Sequence, residues 1–247
     1  MDAQYEAKYH TLEERHWWFR GRRDLLLRWL RRVPTTARIL EIGCSGGPLL
    51  LALHERGYTH LGGIDISESG IALAQARGLS HVAVMDAAHP TLPHGAYDLL
   101  IASDVLEHIR GEGAALNAWY DLLAPGGQLW VFVPAYEFLW SAHDLANHHQ
   151  RRYTRRSLRA ALAQAGFTVE RAGYWNAALF LPAALIRLPQ RKVRHLPPGK
   201  PLPSDDLRPL PGPLNTALTT WLRLENALLP YLGYPFGVSA WAVAQKP

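Results

Sequence analysis

Three stretches of this 247-residue chain have residue types and spacings suited to chemistry. The first is Glu41-Ile42-Gly43-Cys44-Ser45-Gly46-Gly47-Pro48, an acid followed by small residues and a proline. Glycines let the backbone turn sharply and let a ligand approach with no Cβ in the way. The second is Ser103-Asp104-Val105-Leu106-Glu107-His108. If it is helical, Asp104, Glu107 and His108 share one face at i, i+3 and i+4. His108 could then act as a general base, because imidazole titrates near neutrality. The same trio could hold a divalent cation, or Glu107 and His108 could only brace the loop. The third stretch, 135–153, is dense in histidine and aromatic residues. His143 and His148 are candidates for base, metal ligand or phosphate contact there. Tyr136 is a further candidate for contact with a substrate, and Arg152 and Tyr153 could hold an acidic group on it.

The elements that must position these residues read as alternating strands and helices. The apolar run at 38–43 is a buried strand, and 48–56 starts a helix with Pro48 at its first position, where a missing N–H costs nothing. A helix N-terminus offers free N–H groups and partial positive charge. The glycines fall in G-x-x-G-G order, which is not the dinucleotide fingerprint G-x-G-x-x-G. The second strand, 60–66, ends in Asp65, about twenty residues past the turn. An acid there suits ribose hydroxyls, since a carboxylate accepts two O–H donors at once. Ser67 can cap the next helix. Further strands are expected at 82–85, 97–103, 128–134, 167–172 and 237–244. Thr154 caps a helix ending at Gly166, and a loop over the C-terminal edge of such a sheet is where ligands bind.

At this point the chain resembles the class I S-adenosylmethionine-dependent methyltransferases, in the type 11/12-like subgroup. Glu41, Gly43 and Gly47 match the acid-x-Gly-x-Gly-x-Gly motif, and Ser45 stands where the family has its middle glycine. The resemblance covers roughly residues 38–175 and 237–246, including Leu123–Pro134 (LAPGGQLWVFVP). It implies an α/β fold with a doubly wound, Rossmann-like seven-stranded sheet, an N-terminal helical extension and an insert before the last strand. It implies S-adenosyl-L-methionine as cofactor and S-adenosyl-L-homocysteine as product. The cofactor site carries over to Glu41, Gly43, Cys44, Ser45, Gly47, Asp65, Ile66, Asp86, Ala87 and Ser103. Asp86 would bond the adenine amino group and Ala87 would offer its backbone N–H to the ring. No resident metal is expected; the alternative is a cation on Asp104, Glu107 and His108, as in methyltransferases that gather acid-x-x-Glu-His plus a further histidine.

The expected organisation is a helical cap at 1–35, a core at 36–175 and 237–247, and an apolar, proline-rich insert at 176–236. The insert reads as a lid, a membrane-surface platform or a dimer contact. In the cap, His16-Trp17-Trp18-Phe19-Arg20 could cover cofactor or substrate, with Trp18 and Arg20 touching the acceptor. The same segment could lie on an anionic membrane or pack on the sheet edge.

Lys and Arg number 26 against 21 Asp and Glu, a net charge of +5, which permits anionic partners. A single cysteine rules out disulfide frameworks and cysteine-rich zinc sites, and its place in the cofactor turn argues against a cysteine nucleophile. No charge-free apolar run of about 18 residues is present, so a cytoplasmic location is expected, with room for peripheral membrane contact. Ser103-Asp104 in place of an Asn/Asp-Pro-Pro-aromatic clamp disfavours methylation of a flipped base, so nucleic acid is not the expected partner. The expected function is O- or N-methylation of a small-molecule or lipid- or saccharide-linked acceptor. A catalytically silent binding subunit of the same fold is the alternative. An NAD-dependent oxidoreductase is a further one, disfavoured by Glu41 and the glycine spacing.

Overall fold

The computed structural model describes residues 12–190 and 209–247. A helical turn at 12–15 leads into α1 (Trp17–Leu30). There follow β1 (Arg38–Ile42), α2 (Pro48–His54), β2 (His60–Asp65), α3 (Glu68–Ala76), β3 (Val82–Val84) and β4 (Tyr97–Ser103). Next come α4 (Glu112–Leu122), β5 (Leu123–Pro134), α5 (Ala142–Ala146), α6 (Arg155–Gln164) and β6 (Thr168–Trp175). The chain closes with α7 (Phe180–Arg187), α8 (Gly212–Leu232) and β7 (Ser239–Gln245).

The seven strands form one sheet in the order β3-β2-β1-β4-β5-β7-β6. β7 runs antiparallel to both its neighbours, β5 and β6. The seven-stranded α/β architecture expected from the motifs is therefore the one observed. Strand order reverses between β1 and β4, and the crevice beyond the carboxyl ends there is where such sheets bind ligands. Successive β4 residues face opposite sides. Leu100 and Ala102 pack with Leu116 and Trp119 of α4 and Leu158 and Leu162 of α6. Leu99 and Ile101 pack with Leu25, Leu26 and Leu30 of α1, Leu53 of α2, and Leu222 and Leu229 of α8.

Helix α8, within the 176–236 segment, thus supplies part of a core layer. Asn226 pins it: its amide donates to the Gly21 carbonyl at 2.8 Å and accepts from Trp175 Nε1 at 2.7 Å. Gly21 is required here because a Cβ would run into Leu222. Local caps match their residues. Ser67 Oγ accepts from Gly70 N at 2.8 Å and Thr154 Oγ1 from Ser157 N at 3.0 Å.

One local expectation fails. Residues 104–108 do not form an α-helix. Asp104 sits in the left-handed region at φ 58°, and only a 3₁₀ turn, Leu106–His108, follows. The helical face that would have carried Asp104 with Glu107 and His108 does not exist.

Candidate functional site

A cavity of about 1440 Å³ opens over the carboxyl ends of the strands. Its first wall is the glycine turn between β1 and α2. Gly43 and Gly47 have φ 76° and 74°, and Ser45 lies at φ 48°. Asp65 at the end of β2 braces two loops: Oδ2 accepts from Ser45 N at 2.8 Å and Oδ1 from Ser67 N at 2.9 Å. The Ser45 hydroxyl donates to Glu13 at 2.5 Å. Burial, and then the charges of Glu13 and Asp65, push the Glu41 carboxyl well above the usual carboxylate range. Three acidic side chains thus converge on the turn, and the charges of Glu13 and Asp65 favour a cationic ligand there.

Gly43, Ser45, Asp65, Ile66, Asp86, Ala87 and Ser103 all line the cavity. Glu41 and Cys44 are buried, and neither they nor Gly47 contributes to its wall. Burial raises the Cys44 thiol, which makes it inert as a nucleophile.

The second wall lies beyond β4. Arg22 of α1 is 4% exposed and ties two strand ends together. It donates to Ser103 Oγ at 2.7 Å and to Ser239 Oγ at 2.9 Å, and Nη1 lies 3.4 Å from Asp104. Its guanidinium rests over Trp175 and Phe132, at 4.4 and 4.5 Å from the ring centres. Trp18 lines the cavity and meets Trp175 edge-on at 5.0 Å. Arg20 does not reach this wall; it lines a separate polar groove with Arg23 and Asp24.

The third wall is the histidine loop. Asp144 is fully buried and accepts from Arg152 Nε at 2.8 Å, Arg152 Nη2 at 2.9 Å and Ser141 N at 2.8 Å. Its Oδ1 also contacts His149 Nδ1 at 2.8 Å. Burial alone would raise this carboxyl. The His149 hydrogen bond and the Arg152 charge outweigh that and hold it below the usual range. His149 meets His108 edge-on, ring centres 4.6 Å apart. Burial first, then His149, lower His108 to a pKa of about 4, so it is neutral at physiological pH. Glu107 is fully buried, with neither carboxylate oxygen hydrogen-bonded. Burial, then the Asp104 charge, drive it well above the usual carboxylate range. Glu107, His108 and His149 each offer a ligand atom within 4.8 Å of the others. Among the described residues this is the cluster with the donors for a cation; Asp104 is not part of it, because it turns toward Arg22.

His143 and His148 line the cavity as well, His148 with φ 57°. Three residues assigned to the substrate from sequence are otherwise engaged. The Arg152 guanidinium is committed to Asp144 and to the Ala135 carbonyl at 3.0 Å. The Tyr153 hydroxyl donates to Glu112 at 2.5 Å, outside the cavity wall. The Tyr136 ring stacks on Tyr174 at 5.0 Å and packs on Phe138 and Phe180. Sequence reasoning missed His149 and Asn176, and left Arg22 undistinguished from its arginine neighbours. The only sequence signal for His149 was histidine density, which does not choose among 143, 148 and 149.

A doubly wound seven-stranded sheet with an acid–glycine turn at its switch point defines the class I S-adenosylmethionine-dependent methyltransferases. Residues 15–172 match the family model described as a methyltransferase domain, and the chain belongs to that family. It is 29% identical over 140 residues to the ubiquinone biosynthesis O-methyltransferase of Pseudomonas aeruginosa strain UCBPP-PA14, covering 52% of this chain and 60% of that protein. With the protein of the same description from Pseudomonas fluorescens strain SBW25 it shares 28% over 194 residues, 68% of this chain and 82% of that one. The chain thus spans about three fifths of the length of the first of these curated relatives. Among solved structures, a methyltransferase of Haloferax volcanii in complex with the Trm112 methyltransferase activator superposes with a TM-score of 0.63. It is 19% identical and covers 99% of this chain and 95% of that one, a likeness of fold.

Proposed function

We propose that this chain binds S-adenosylmethionine and moves its methyl group to an oxygen of a small-molecule or lipid-linked acceptor. The observation that carries this is that the glycine turn (Gly43, Ser45) and His149, which Asp144 holds, line one cavity. When bound, the cofactor supplies a methyl group already activated on a sulfonium, and S-adenosylhomocysteine is left. The chain's residues do the rest. Asp65 presents a carboxylate to the ribose hydroxyls, and Asp86 and Ala87 lie where the adenine edge would be read. The acids Glu13 and Asp65 favour the cationic donor over its neutral product. Alignment of acceptor and donor is worth up to roughly 7–11 kcal/mol in favourable cases.

A hydroxyl acceptor must also lose its proton. His149, held through Nδ1 by an ionised Asp144, has Nε2 left to take it, and Asp144 then stabilises the imidazolium. His108 and His143 flank this ring. The relatives described as O-methyltransferases support oxygen as the atom methylated.

A second reading gives the same cluster a divalent cation. The unpartnered, buried oxygens of Glu107 favour it, since a cation would supply the missing partner. Glu107, His108 and His149 would be its ligands, and it would orient and acidify the acceptor oxygen. Dialysis against a chelator, followed by addition of Mg²⁺, Mn²⁺ or Zn²⁺, separates the readings by loss and return of turnover.

A lipid-linked acceptor is supported by exposed apolar residues on α7, which borders the cavity, and on α8. Leu181, Leu185 and Ile186 of α7 are exposed, as are Trp221, Leu224 and Tyr231 of α8. Ile186 also lines the cavity. No described helix is long and apolar enough to cross a membrane. The test is to incubate the protein with methyl-labelled S-adenosylmethionine and a cell extract containing membranes, then to partition the label. Label in the organic phase supports a lipid-linked acceptor; label in the aqueous phase supports a soluble one. Cofactor binding with no label in either phase would identify a silent binding subunit instead.

A further inference from the structure

We infer that the Asn176 carboxamide is a specificity element that reads an uncharged oxygen function, a hydroxyl or carbonyl, on the acceptor. The inference deepens the methyl-transfer reading and rests on it.

Asn176 follows the last residue of β6 and lines the cavity. It is 0% exposed, and neither its Oδ1 nor its Nδ2 has a hydrogen-bond partner. Leaving a buried donor or acceptor unpaired costs about 1–3 kcal/mol for each group. Asn176 sits at φ 61°, in the left-handed region that glycine adopts most readily and asparagine next. A packing role would be met by glycine at this φ without the orphaned amide. The arrangement makes sense if the missing partners arrive with a ligand.

The surroundings hold the residue rather than satisfy it. Glu225 of α8 accepts from the backbone N–H groups of Ala177 at 2.7 Å and Ala178 at 3.3 Å, and also from that of Asn176. On the other side, Val238 N donates to the Asn176 carbonyl at 3.2 Å. Gly237 lies so close to Trp175 that a Cβ there would strike its carbonyl. The backbone N–H groups of Asn176, Ala177 and Ala178 and the Asn176 carbonyl are anchored, whereas the side-chain amide has no partner.

The chemistry of the neighbours defines the ligand. Arg22, beside this wall, already serves Ser103, Ser239 and Asp104, and of the arginines that line the cavity Arg152 is paired with Asp144 and Arg187 is itself engaged. A neutral amide has one donor face and one acceptor face, which suits a hydroxyl or carbonyl better than a carboxylate or phosphate. Strand order places β5 and β7 between the β4 end and Asn176. At about 4.8 Å per strand, three spacings put the amide about 14 Å from the β4 tip. An acceptor reacting near Ser103 and anchored at Asn176 would lie along α7, past Leu179, Ala183 and Ile186. The amide would thereby fix which acceptor oxygen faces the donor.

The test uses the full chain, methyl-labelled S-adenosylmethionine and the membrane-containing extract as acceptor source. Asn176→Gly keeps the backbone conformation and removes the amide. Asn176→Asp keeps the shape and replaces the amide NH₂ by a carboxyl oxygen. We expect Asn176→Gly to melt no lower than wild type, since it loses the orphaned amide, and both variants to bind S-adenosylhomocysteine equally. The amount of extract giving half-maximal transfer should rise at least tenfold, with a smaller fall in the plateau rate. A half-maximal point within twofold of wild type for Asn176→Gly would overturn the inference. If Asn176→Gly fails to fold, Asn176→Asp decides by the same criterion. Failure of methyl transfer by the wild type itself would strike the underlying reading, a distinct outcome.

Discussion

Asp144 Oδ1 and His149 Nδ1 lie 2.8 Å apart, and Arg152 closes on the same carboxylate from the other side. The arrangement fixes the ring of His149 and keeps its acid ionised in a fully buried position. An imidazole so held has one nitrogen committed and one free to accept a proton.

Asp144→Asn should therefore lower kcat without loosening the cofactor. Positioned general bases contribute about 10²–10⁴-fold, and a fall in that range is expected for Asp144→Asn and for His149→Ala. Affinity for S-adenosylhomocysteine, read by calorimetry, should stay within twofold, since neither side chain touches the glycine turn. Full turnover by His149→Ala, together with loss of turnover by His108→Ala, would move the base to His108.

The cluster also predicts stability profiles of opposite sign. Glu107 has a native pKa well above its ordinary 4.5, by burial first and the Asp104 charge second. Its stabilising contribution is complete below about pH 4.5 and is lost as pH rises through the native value. His108 is lowered from 6.5 to about 4, by burial and then His149. The unfolded chain binds more protons than the native one in that window, so stability falls as pH drops from 6.5 toward 4. Denaturant unfolding of His108→Asn should lose less stability than wild type between those limits. Glu107→Gln should lose less than wild type as pH rises above 4.5. Curves parallel to wild type would mean these groups are not titrating as their burial requires.

Asp65→Ala addresses the cofactor wall. The side chain is the acceptor for Ser45 N and Ser67 N and the group proposed to meet the ribose. Hydrogen bonds to charged groups are worth about 1.5–3 kcal/mol. Affinity for S-adenosylhomocysteine should fall by at least tenfold, with Asp65→Asn in between. Unchanged affinity in Asp65→Ala would remove this residue from the cofactor site.

What was legible in the sequence was local. The strand ends at Glu41 and Asp65, the glycine turn and the caps at Ser67 and Thr154 depend on neighbours within a few positions, and the seven-stranded architecture follows from their alternation. What was not legible depends on distant partners or on a single dihedral. Asp104 at φ 58° redirects the whole Asp104–His108 stretch, and an aspartate in a polar loop gives no warning of it. Arg22 is distinguished from Arg20 and Arg23 only by Ser103 and Ser239, 81 and 217 positions away. In α8 the apolar pattern was visible, but Leu222 and Leu229 face inward while Trp221, Leu224 and Leu228 face outward. A helix apolar on most sides does not declare which face the core takes. Arg152 reads as a substrate clamp because the sequence does not show that Asp144, eight positions earlier in α5, takes its guanidinium.

The glycine turn gives a prediction that separates packing from backbone strain. Gly47 and Gly57 both have positive φ, 74° and 82°. At Gly57 an added Cβ would meet nothing within 4 Å. At Gly47 it would collide with Leu79 Cδ1 and sit 3.3 Å from Ala74 Cβ. Gly57→Ala should pay the left-handed penalty alone, roughly 1–2 kcal/mol. Gly47→Ala should add an overpacking cost of about 1–3 kcal/mol, because Leu79 and Ala74 belong to a closed cluster with Cys44, Leu50, Ile71 and Val82. Leu79 packs against Ile71 and Ala74 of α3, so its displacement would be passed to that helix. The turn that Ser45 and Asp65 hold in register should shift with it, so S-adenosylhomocysteine affinity should fall in Gly47→Ala and hold in Gly57→Ala. Equal unfolding free energies for the two variants would show that Leu79 relaxes freely and that the turn is positioned by its hydrogen bonds alone.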